Sequence, residues 1–481
     1  MRNIRTLAAV LILLCADTIA LTGAMTVAYG IRLLLNSLPV TPNFAQPLTT
    51  YLQLYWVPLT GLGFLLVERL YDRRLVFWEE TGRVVKACLL AGAVTFAILT
   101  LSKSGAQYSR LLFVLYVLIT LIFLPVFRLL TKRLLFHFGI WRRWALIVGT
   151  GEIAQDAALG LDRETHLGYR VAGFVSNAAE PNENDRFLQV NGSRYEVFPD
   201  FSRAEQKMPE GRVDLVVLAG SEDTTDLMGL VRDLHVRFGA VMIAPDVSGL
   251  PLLNTHPVRL FREQRLLLDI RNNLSNPLNR ILKRTLDMVI VSLFAPVWLP
   301  IVGLFAVLVK LTSRGPVMFV QKRLGRDGGT FQMLKFRTMY VDADSILSEH
   351  LAAEPERKEE WERFRKLRGR DPRVTRLGRI MRKASLDELP QLIHVLTGQM
   401  SLVGPRPYMP EELDRLSDSA STILAARPGL TGLWQTSGRN RLTFRDRVGL
   451  DRWYVMNWTL WLDVEILVKT IRSVFRSEGA Y

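Results

Sequence analysis

Two adjacent carboxylates in a cationic setting are the residues of this chain best suited to chemistry. Asp387 and Glu388 stand in Ser385-Leu-Asp387-Glu388-Leu-Pro390. Arg376, Arg379, Arg382 and Lys383 precede them; in a helix over 375–383 the first two share a face with Arg382 or Lys383. Further upstream, Gly315-Pro316 opens a stretch carrying Lys322, Arg323, Arg326 and Lys335-Phe-Arg337. Paired acids can hold Mg²⁺, and arginines can clamp a diphosphate. Such a set suits phosphoryl transfer, which relies on positioning and charge neutralisation. Pro390 fits the first turn of a helix ending near Thr397-Gly398, which places Asp387 and Glu388 at a helix N-terminus, where amides and dipole favour bound phosphate. A structural reading competes, because Ser385-x-x-Glu388 also spells a capping box with Glu388 as the cap.

The element that must carry this region is the apolar run Leu286–Leu311. Arg280, Lys283 and Arg284 precede it, and Lys310, Arg314, Lys322, Arg323 and Arg326 follow. A crossing helix would leave one basic cluster on the wrong side of a membrane. Pro296 and Pro300 lie at its centre, lack amide protons and clash with the carbonyls of Ser292 and Pro296 in a straight helix. A helix that breaks at Ala295-Pro296 and returns satisfies both facts; a kinked spanning helix is the alternative.

Four more apolar stretches lie before residue 135: Thr6–Tyr29, Leu52–Val67, Ala87–Leu101 and Leu111–Leu130. About 20 residues cross a bilayer core, so the first and last suffice and the middle two are short. The first exceeds a signal-peptide core and three others follow, so it reads as a span. Arg2 and Arg5, then Arg69, Arg73, Arg74, Arg83 and Lys86, then Arg128, Lys132, Arg133, Arg142 and Arg143 crowd alternate loops. The other loops hold only Arg32, and Lys103 with Arg110, so both ends of the bundle are expected in the cytosol. Asp17, inside the first span, is either a functional acid or a helix–helix polar contact. Lys+Arg exceed Asp+Glu by 61 − 46 = 15, mostly beside apolar runs. That pattern favours anionic lipid or phosphate partners over nucleic acid. Cys15 and Cys88 lie in apolar runs and offer no disulfide framework or zinc spacing.

From Ala145 short β runs alternate with helical patterns. Strands are expected at Ala145–Val148, Val171–Val175, Val213–Leu218 and Val241–Ala244, with helices to Leu161 and over Thr225–Phe238, which is the order of a small parallel α/β sheet. Gly149-Thr-Gly151-Glu-Ile-Ala154 is similar to a dinucleotide fingerprint. Ser176 and Asn177 replace the acid expected after the second strand, which argues for a structural, dimerising or regulatory domain over NAD binding.

The carboxylate segment resembles the monotopic polyprenyl-phosphate phosphoglycosyl transferases of bacterial polysaccharide initiation. The resemblance runs from about Ile281 to Tyr481. It rests on Lys335-Phe-Arg337, Ser385-Leu-Asp387-Glu388-Leu-Pro390-Gln391, Gly398, Ser401-Leu-Val-Gly404-Pro405-Arg406-Pro407, Arg427-Pro-Gly429-Leu-Thr-Gly432 and Trp434. Ser437-Gly-Arg439-Asn440, Trp453-Tyr454, Asn457-Trp458, Asp463 and Gly479-Ala-Tyr481 are similar to the undecaprenyl-phosphate galactose phosphotransferases. His394 stands where asparagine is expected. The resemblance implies that Asp387 attacks the sugar-linked phosphate of a UDP-sugar and expels UMP. It implies that Glu388 helps bind Mg²⁺ with Asp387, and that Lys335, Arg337, Arg382, Arg406 and Asp463 order the pair or meet phosphate. Arg427 and Trp434 are implied at the nucleotide or sugar. Arg382 and Asp463 have an equally weighted alternative, pairing with each other or with neighbours.

The resulting expectation is a multidomain membrane protein of the large form of this family. Residues 1–135 form a four-helix transmembrane bundle, 142–265 a Rossmann-like α/β domain, and 266–481 a mainly α catalytic domain with a re-entrant membrane helix at 286–311. The implied partners are a UDP-sugar (galactose, else glucose), undecaprenyl phosphate, inner-membrane lipids and a second copy of the chain, with Mg²⁺ as cofactor and the catalytic domain on the cytosolic face. The reaction would open O-antigen, capsule or exopolysaccharide synthesis. A membrane-bound nucleotide-sugar dehydratase and a non-catalytic assembly scaffold are the competing functions; the first needs a bound NAD and leaves the Asp-Glu segment without a task, and the second predicts that the pair can be replaced without losing transfer.

Overall fold

The structure, a computed structural model, describes residues 2–37, 44–102, 108–176, 186–208, 213–219, 227–238, 240–246, 250–260, 265–354, 371–438 and 442–476. Lys103, Asn177, Thr225, Arg370, Arg439, Asn440 and Gly479–Tyr481 lie outside the described residues. The chain forms two compact units, Met1–Val247 and Ser248–Tyr481.

The first unit opens with α1 (Arg2–Leu34), α2 (Trp56–Val67), α3 (Phe77–Leu101) and α4 (Arg110–His137). The segments Arg5–Ser37, Leu48–Val67, Phe77–Leu101 and Arg110–His137 are each long and apolar enough to cross a membrane. Leu13, Ala24, Val84, Phe113 and Leu124 share their buried interior, while Leu7, Leu59, Leu89 and Ile122 face outward. Helices apolar on both faces are those of a lipid environment. The third helix begins well before the apolar run at Ala87, because its first turns are amphipathic and turn Glu80 inward.

Asp17 proves to be an interhelical contact. Arg128 donates to both of its oxygens, at 3.0 and 2.7 Å, and the Tyr71 hydroxyl donates at 2.6 Å. Arg128 also reaches Glu80 Oε1 at 2.7 Å, Lys132 Nζ meets Glu80 Oε2 at 2.7 Å, and His166 Nε2 contacts the same oxygen. All six charged or titratable members are buried. Each ion therefore depends on its partners for solvation.

Beyond the helices, β1 (Arg143–Val148), α5 (Glu152–Arg163), β2 (Tyr169–Val175), β3 (Phe187–Val190), β4 (Ser193–Phe198), α6 (Phe201–Lys207), β5 (Leu215–Ala219), α7 (Leu227–Phe238) and β6 (Val241–Ala244) build one sheet in the order β3-β4-β2-β1-β5-β6. All pairings are parallel except β3 with β4. The four expected strands are present. The hairpin β3–β4 was not foreseen, since its mixed polar positions lack a buried run. Gly149, at φ 99°, turns the chain from β1 towards α5.

The second unit begins with the hairpin β7 (Thr255–Leu260) and β8 (Arg265–Ile270). The expected domain edge at 265 falls inside this hairpin. Asn254 explains the earlier boundary: buried, it donates to the carbonyls of Met456 and Trp458 at 2.9 and 3.3 Å. Next come α8 (Pro277–Leu293) and α9 (Ala295–Thr312), separated at Phe294. The break is one residue before the expected Ala295-Pro296. Pro296 then sits in the first turn of α9, where a missing amide proton costs nothing, and Trp298 Nε1 bridges the break to the Val291 carbonyl at 3.0 Å. Val297, Leu299, Leu304 and Val307 of α9 are exposed. The hairpin β9 (Met318–Leu324) and β10 (Thr330–Phe336) follows, then α10 (Ala343–Ala353), α11 (Arg376–Lys383), α12 (Leu392–Thr397), β11 (Ser401–Val403), β12 (Gly429–Thr431), α13 (Phe444–Met456) and α14 (Leu460–Arg476). Val395, Leu402, Tyr454, Trp458 and Ile466 share a buried core with Trp298.

The buried ion network yields a stability test. Arg128→Met strands Asp17, whose one cationic partner among the described residues it is, and should cost about 3–5 kcal/mol. Arg83→Gln, removing an exposed ion pair with Glu79, should cost less than ~1 kcal/mol. Thermal unfolding in detergent reads both; equal shifts would contradict the role of the network.

Candidate active site

Thr375 caps α11, its hydroxyl accepting from Gly378 N at 2.9 Å. Gly378 is fixed by close approach: a Cβ there would lie 2.2 Å from the Thr338 carbonyl oxygen. After Lys383 the chain reverses through Ser385, whose φ of 54° is left-handed. The next turn, Leu386–Gln391, is a 3₁₀ helix that runs into α12. Ser385 makes no side-chain cap, so the capping box does not form and Glu388 is released from that structural task.

Glu388 instead pairs with Lys335 on β10, Nζ to Oε1 at 2.6 Å. The Asp387 side chain, half-buried, makes no hydrogen bond or ion pair with another side chain among the described residues. Burial and the adjacent Glu388 push its carboxyl up, while Lys335 and Arg382 pull it back. Arg382 is oriented by Thr338, Nε to Oγ1 at 2.9 Å. Asp387, Glu388, Lys335 and Arg382 are thus brought together. Among the described residues no third His, Cys, Asp or Glu joins the pair. Two carboxylates make the partial oxygen shell that Mg²⁺ uses when substrate phosphates complete it, so the residues present fit that ion.

His394 holds the support in register. Its Nε2 accepts from Leu334 N on β10 at 3.1 Å and its Nδ1 lies 2.7 Å from Gln399 Oε1. The unexpected residue at this position therefore locks α12 against the strand carrying Lys335.

Arg406 and Trp434 form a second group. The Arg406 guanidinium lies 5.5 Å from the Trp434 ring centre, and that of Arg447 lies 5.6 Å from it. Trp434 Nε1 is buried without a partner among the described residues. Arg323, buried, donates to the Pro407 carbonyl at 3.0 Å. Burial and Arg406 push its guanidinium down, while Glu412 and Glu388 pull it up. The loop carrying Arg406 rests on Asp451, which accepts from Arg406 N at 3.0 Å and from the Tyr408 hydroxyl at 2.8 Å. Burial pushes the Asp451 carboxyl up to about 7. Neither Asp451 nor Arg447 was foreseen; a lone acid or arginine on an amphipathic helix carries no signal by itself.

Three anticipated residues are placed elsewhere. Asp463 is buried and saturated by Lys283 Nζ at 2.6 Å, Tyr454 at 2.7 Å and Trp458 Nε1 at 3.0 Å, so it joins α8 to α14 and does not pair with Arg382. Arg337, buried, donates through Nη2 to Ser313 O and Oγ at 2.8 and 2.7 Å and anchors the chain after α9. Arg427 lines a separate cavity with Arg280, Arg284 and Arg326. Its neighbour Gly429 packs so closely on Gly404 that a Cβ would lie 2.1 Å from Gly404 N.

A family model for bacterial sugar transferases matches residues 278–477, and one for a CoA-binding domain matches 53–245. The chain is 38% identical over 417 residues to undecaprenyl-phosphate galactose phosphotransferase of Salmonella typhimurium, covering 86% of this chain and 84% of that protein. It is 35% identical over 426 residues to UDP-galactose-lipid carrier transferase of Erwinia amylovora, with the same coverage of 86% and 84%. A UDP-glucose:undecaprenyl-phosphate glucose-1-phosphate transferase of Caulobacter vibrioides is 39% identical over 249 residues, 49% of this chain and 86% of that protein. The dehydratase alternative, which leaves the Asp-Glu pair idle, gains no support.

The raised Asp451 pKa has a definite sign in stability. Its folded value exceeds the unfolded one, near ~3.9, so its stabilising contribution is full below the unfolded value and lost as pH rises towards about 7. Asp451→Asn removes this loss. The melting midpoint of the variant relative to wild type should therefore rise by several degrees between pH 5 and pH 8; a pH-independent difference would exclude the assignment.

Proposed function

The chain belongs to the bacterial sugar transferases, and from that membership we propose that it moves a sugar-1-phosphate from a UDP-sugar to undecaprenyl phosphate in two displacement steps, releasing UMP. The observation that carries the mechanism is the asymmetry of the carboxylate pair. Glu388 is tethered to Lys335, while Asp387 keeps an uncommitted carboxylate between Lys335 and Arg382.

In the first step an Asp387 oxygen attacks the sugar-bearing phosphorus. The bond from that phosphorus to the bridging oxygen breaks, and UMP leaves with the electron pair. In the second step an oxygen of the lipid phosphate attacks the same phosphorus, returning Asp387 to a free carboxylate. A covalent intermediate lets a soluble and a membrane-bound substrate react in turn. Arg382 and Lys335 offset charge at the attacked phosphate, and the unpaired donors of Arg406 and Trp434 suit the diphosphate or the sugar. Asp387 and Glu388 would hold Mg²⁺, which supplies neutralisation of the diphosphate. Galactose is the sugar favoured, because two relatives similar along 86% of this chain bear galactose names; glucose, in the name of a relative similar along 70%, is second.

The membrane reading follows the same residues. The four N-terminal helices would span the inner membrane with both ends of the bundle in the cytosol. The pair α8–α9 would enter and leave one leaflet, since it breaks at Phe294 between two basic flanks and exposes apolar side chains beyond the break. The middle α/β domain would be dispensable for transfer.

Enzyme mixed with UDP-galactose and Mg²⁺ but no lipid should release up to one UMP per site and gain sugar-phosphate mass on the peptide containing Asp387. A chain beginning at Ser248 should do the same, Asp387→Asn should do neither, and transfer by Asp387→Asn would refute the nucleophile. Because the carboxylate form reacts, UMP release should fall as pH drops through the raised Asp387 pKa. Lys335→Gln removes a charge that holds that pKa down, so it should move this limb to higher pH. For topology, single cysteines at Ser275 and Arg314, in a background lacking Cys15 and Cys88, should both resist a membrane-impermeant thiol reagent in intact cells. Labelling of one alone would mean a crossing.

A further inference from the structure

The cavity that takes Arg427 has no task in this transfer scheme. Its volume is ≈ 400 Å³, and its walls include Arg280, Ile281 and Arg284 of α8, Arg326 of the β9–β10 turn, and Arg427. Two independent measures set it apart from the carboxylate pair. Arg284 donates to the carbonyls of Val395 and Leu396, which lie roughly 15 Å along the 3₁₀ and α-helical segment from Asp387. Arg326 sits at the turn end of the hairpin, about 17 Å along β10 from Lys335.

The charges of this cavity are unevenly compensated. Lys283 is neutralised by Asp463 at 2.6 Å and Arg326 pairs with Asp327 at 3.0 Å. Arg284 gives donors to carbonyls but meets no carboxylate. Arg280 and Arg427 side chains make no hydrogen bond or ion pair among the described residues. The acid in the wall, Asp287, is occupied by Ser401 Oγ at 2.7 Å and Leu402 N at 3.2 Å. Burial, then Arg326, Arg284 and Arg280, push the Arg427 guanidinium down, with only Asp287 opposing. Converging guanidinium groups without a counter-charge repel one another, and their planar donor forks match phosphate oxygens.

We propose that this cavity binds a phosphate group, as a second anion site separate from the Asp387–Glu388 pair. Leu278 and Ile281 on the adjoining turns of α8 are each 61% exposed, so the cationic cavity opens beside an apolar surface. That juxtaposition favours the headgroup of a membrane phospholipid as the source, with free phosphate as the competing source of the same chemistry. The site stands whether or not Asp387 is the nucleophile.

The test uses the full chain in phosphatidylcholine nanodiscs containing phosphatidylglycerol, with retained lipid counted by native mass spectrometry. Wild type should keep a phosphatidylglycerol whose occupancy falls at least tenfold in Arg280→Gln/Arg427→Gln. Arg427→Lys, which preserves the charge, should keep most of it. Arg163→Gln/Arg203→Gln removes the same charge from exposed positions of the first unit and should match wild type. A second arm titrates inorganic phosphate against chloride at equal ionic strength in phosphatidylcholine-only nanodiscs and reads the unfolding midpoint. Loss in the lipid arm identifies a headgroup site, and loss in the phosphate arm alone identifies a soluble phosphate site. Equal behaviour of the cavity and control pairs in both arms overturns the proposal. Should the double variant misfold by circular dichroism, Arg427→Gln alone carries the same comparison.

Discussion

Two carboxylates on adjacent residues repel, and the arrangement of the second unit follows from how that repulsion is met. At an effective dielectric near 20, unit charges about 4 Å apart cost about 4 kcal/mol. Lys335 lowers this by binding Glu388 directly, which requires β10 to lie across the 3₁₀ turn. The strand is held there by its pairing with β9 and by the His394 ring, which accepts from Leu334 N. Ser385 in the left-handed region turns the chain so that α11 presents Arg382 towards the same pair. The same crossing is packed by Phe336 of β10 against Met381 and Leu386, and by Met333 against Leu392 and Val395.

The sequence was legible where one local pattern decides structure. Apolar runs long enough for a bilayer, alternating β and α periods around the middle sheet, and the proline-bearing break before α9 all rest on such patterns. The break moved by one residue because Pro296 fits best inside the first turn, not at the hinge. What could not be read were contacts between distant segments. Asp463 and Arg337 are charged residues near phosphate-type motifs, yet one is saturated by Lys283, Tyr454 and Trp458 and the other grips Ser313. Asp451 and Arg447 went unseen because the first takes its meaning from the Arg406 amide and the second from the Trp434 ring, both distant in sequence. The glycines of the Gly404 and Gly429 motifs, by contrast, are explained by backbone contact, without any ligand.

Both units bury charge, with opposite outcomes. In the first, Asp17, Glu80, Arg128 and Lys132 form a closed network in which each ion meets an opposite one. Such a set specifies how the helices pack and leaves nothing for a ligand to bind. In the second, the acids that could neutralise Arg406 are directed elsewhere. Asp451 accepts from the Arg406 backbone amide and not from its guanidinium, which stays over Trp434.

That contrast separates residues that hold the protein together from residues held ready. A buried cation whose donors are all matched by protein acceptors gains no more from an anion than it already has. A buried cation left unmatched carries a desolvation cost that an arriving anion removes, so the fold itself raises the affinity of that position. By this criterion Lys283 and Arg128 are structural, whereas the unpartnered Trp434 indole beside Arg406 marks the proposed transfer site. Half-buried Arg427, beside the exposed Arg280, is likewise unmatched away from the carboxylates. Motif membership alone would have grouped Arg406, Arg427 and Asp463 together; their partners divide them into three different tasks.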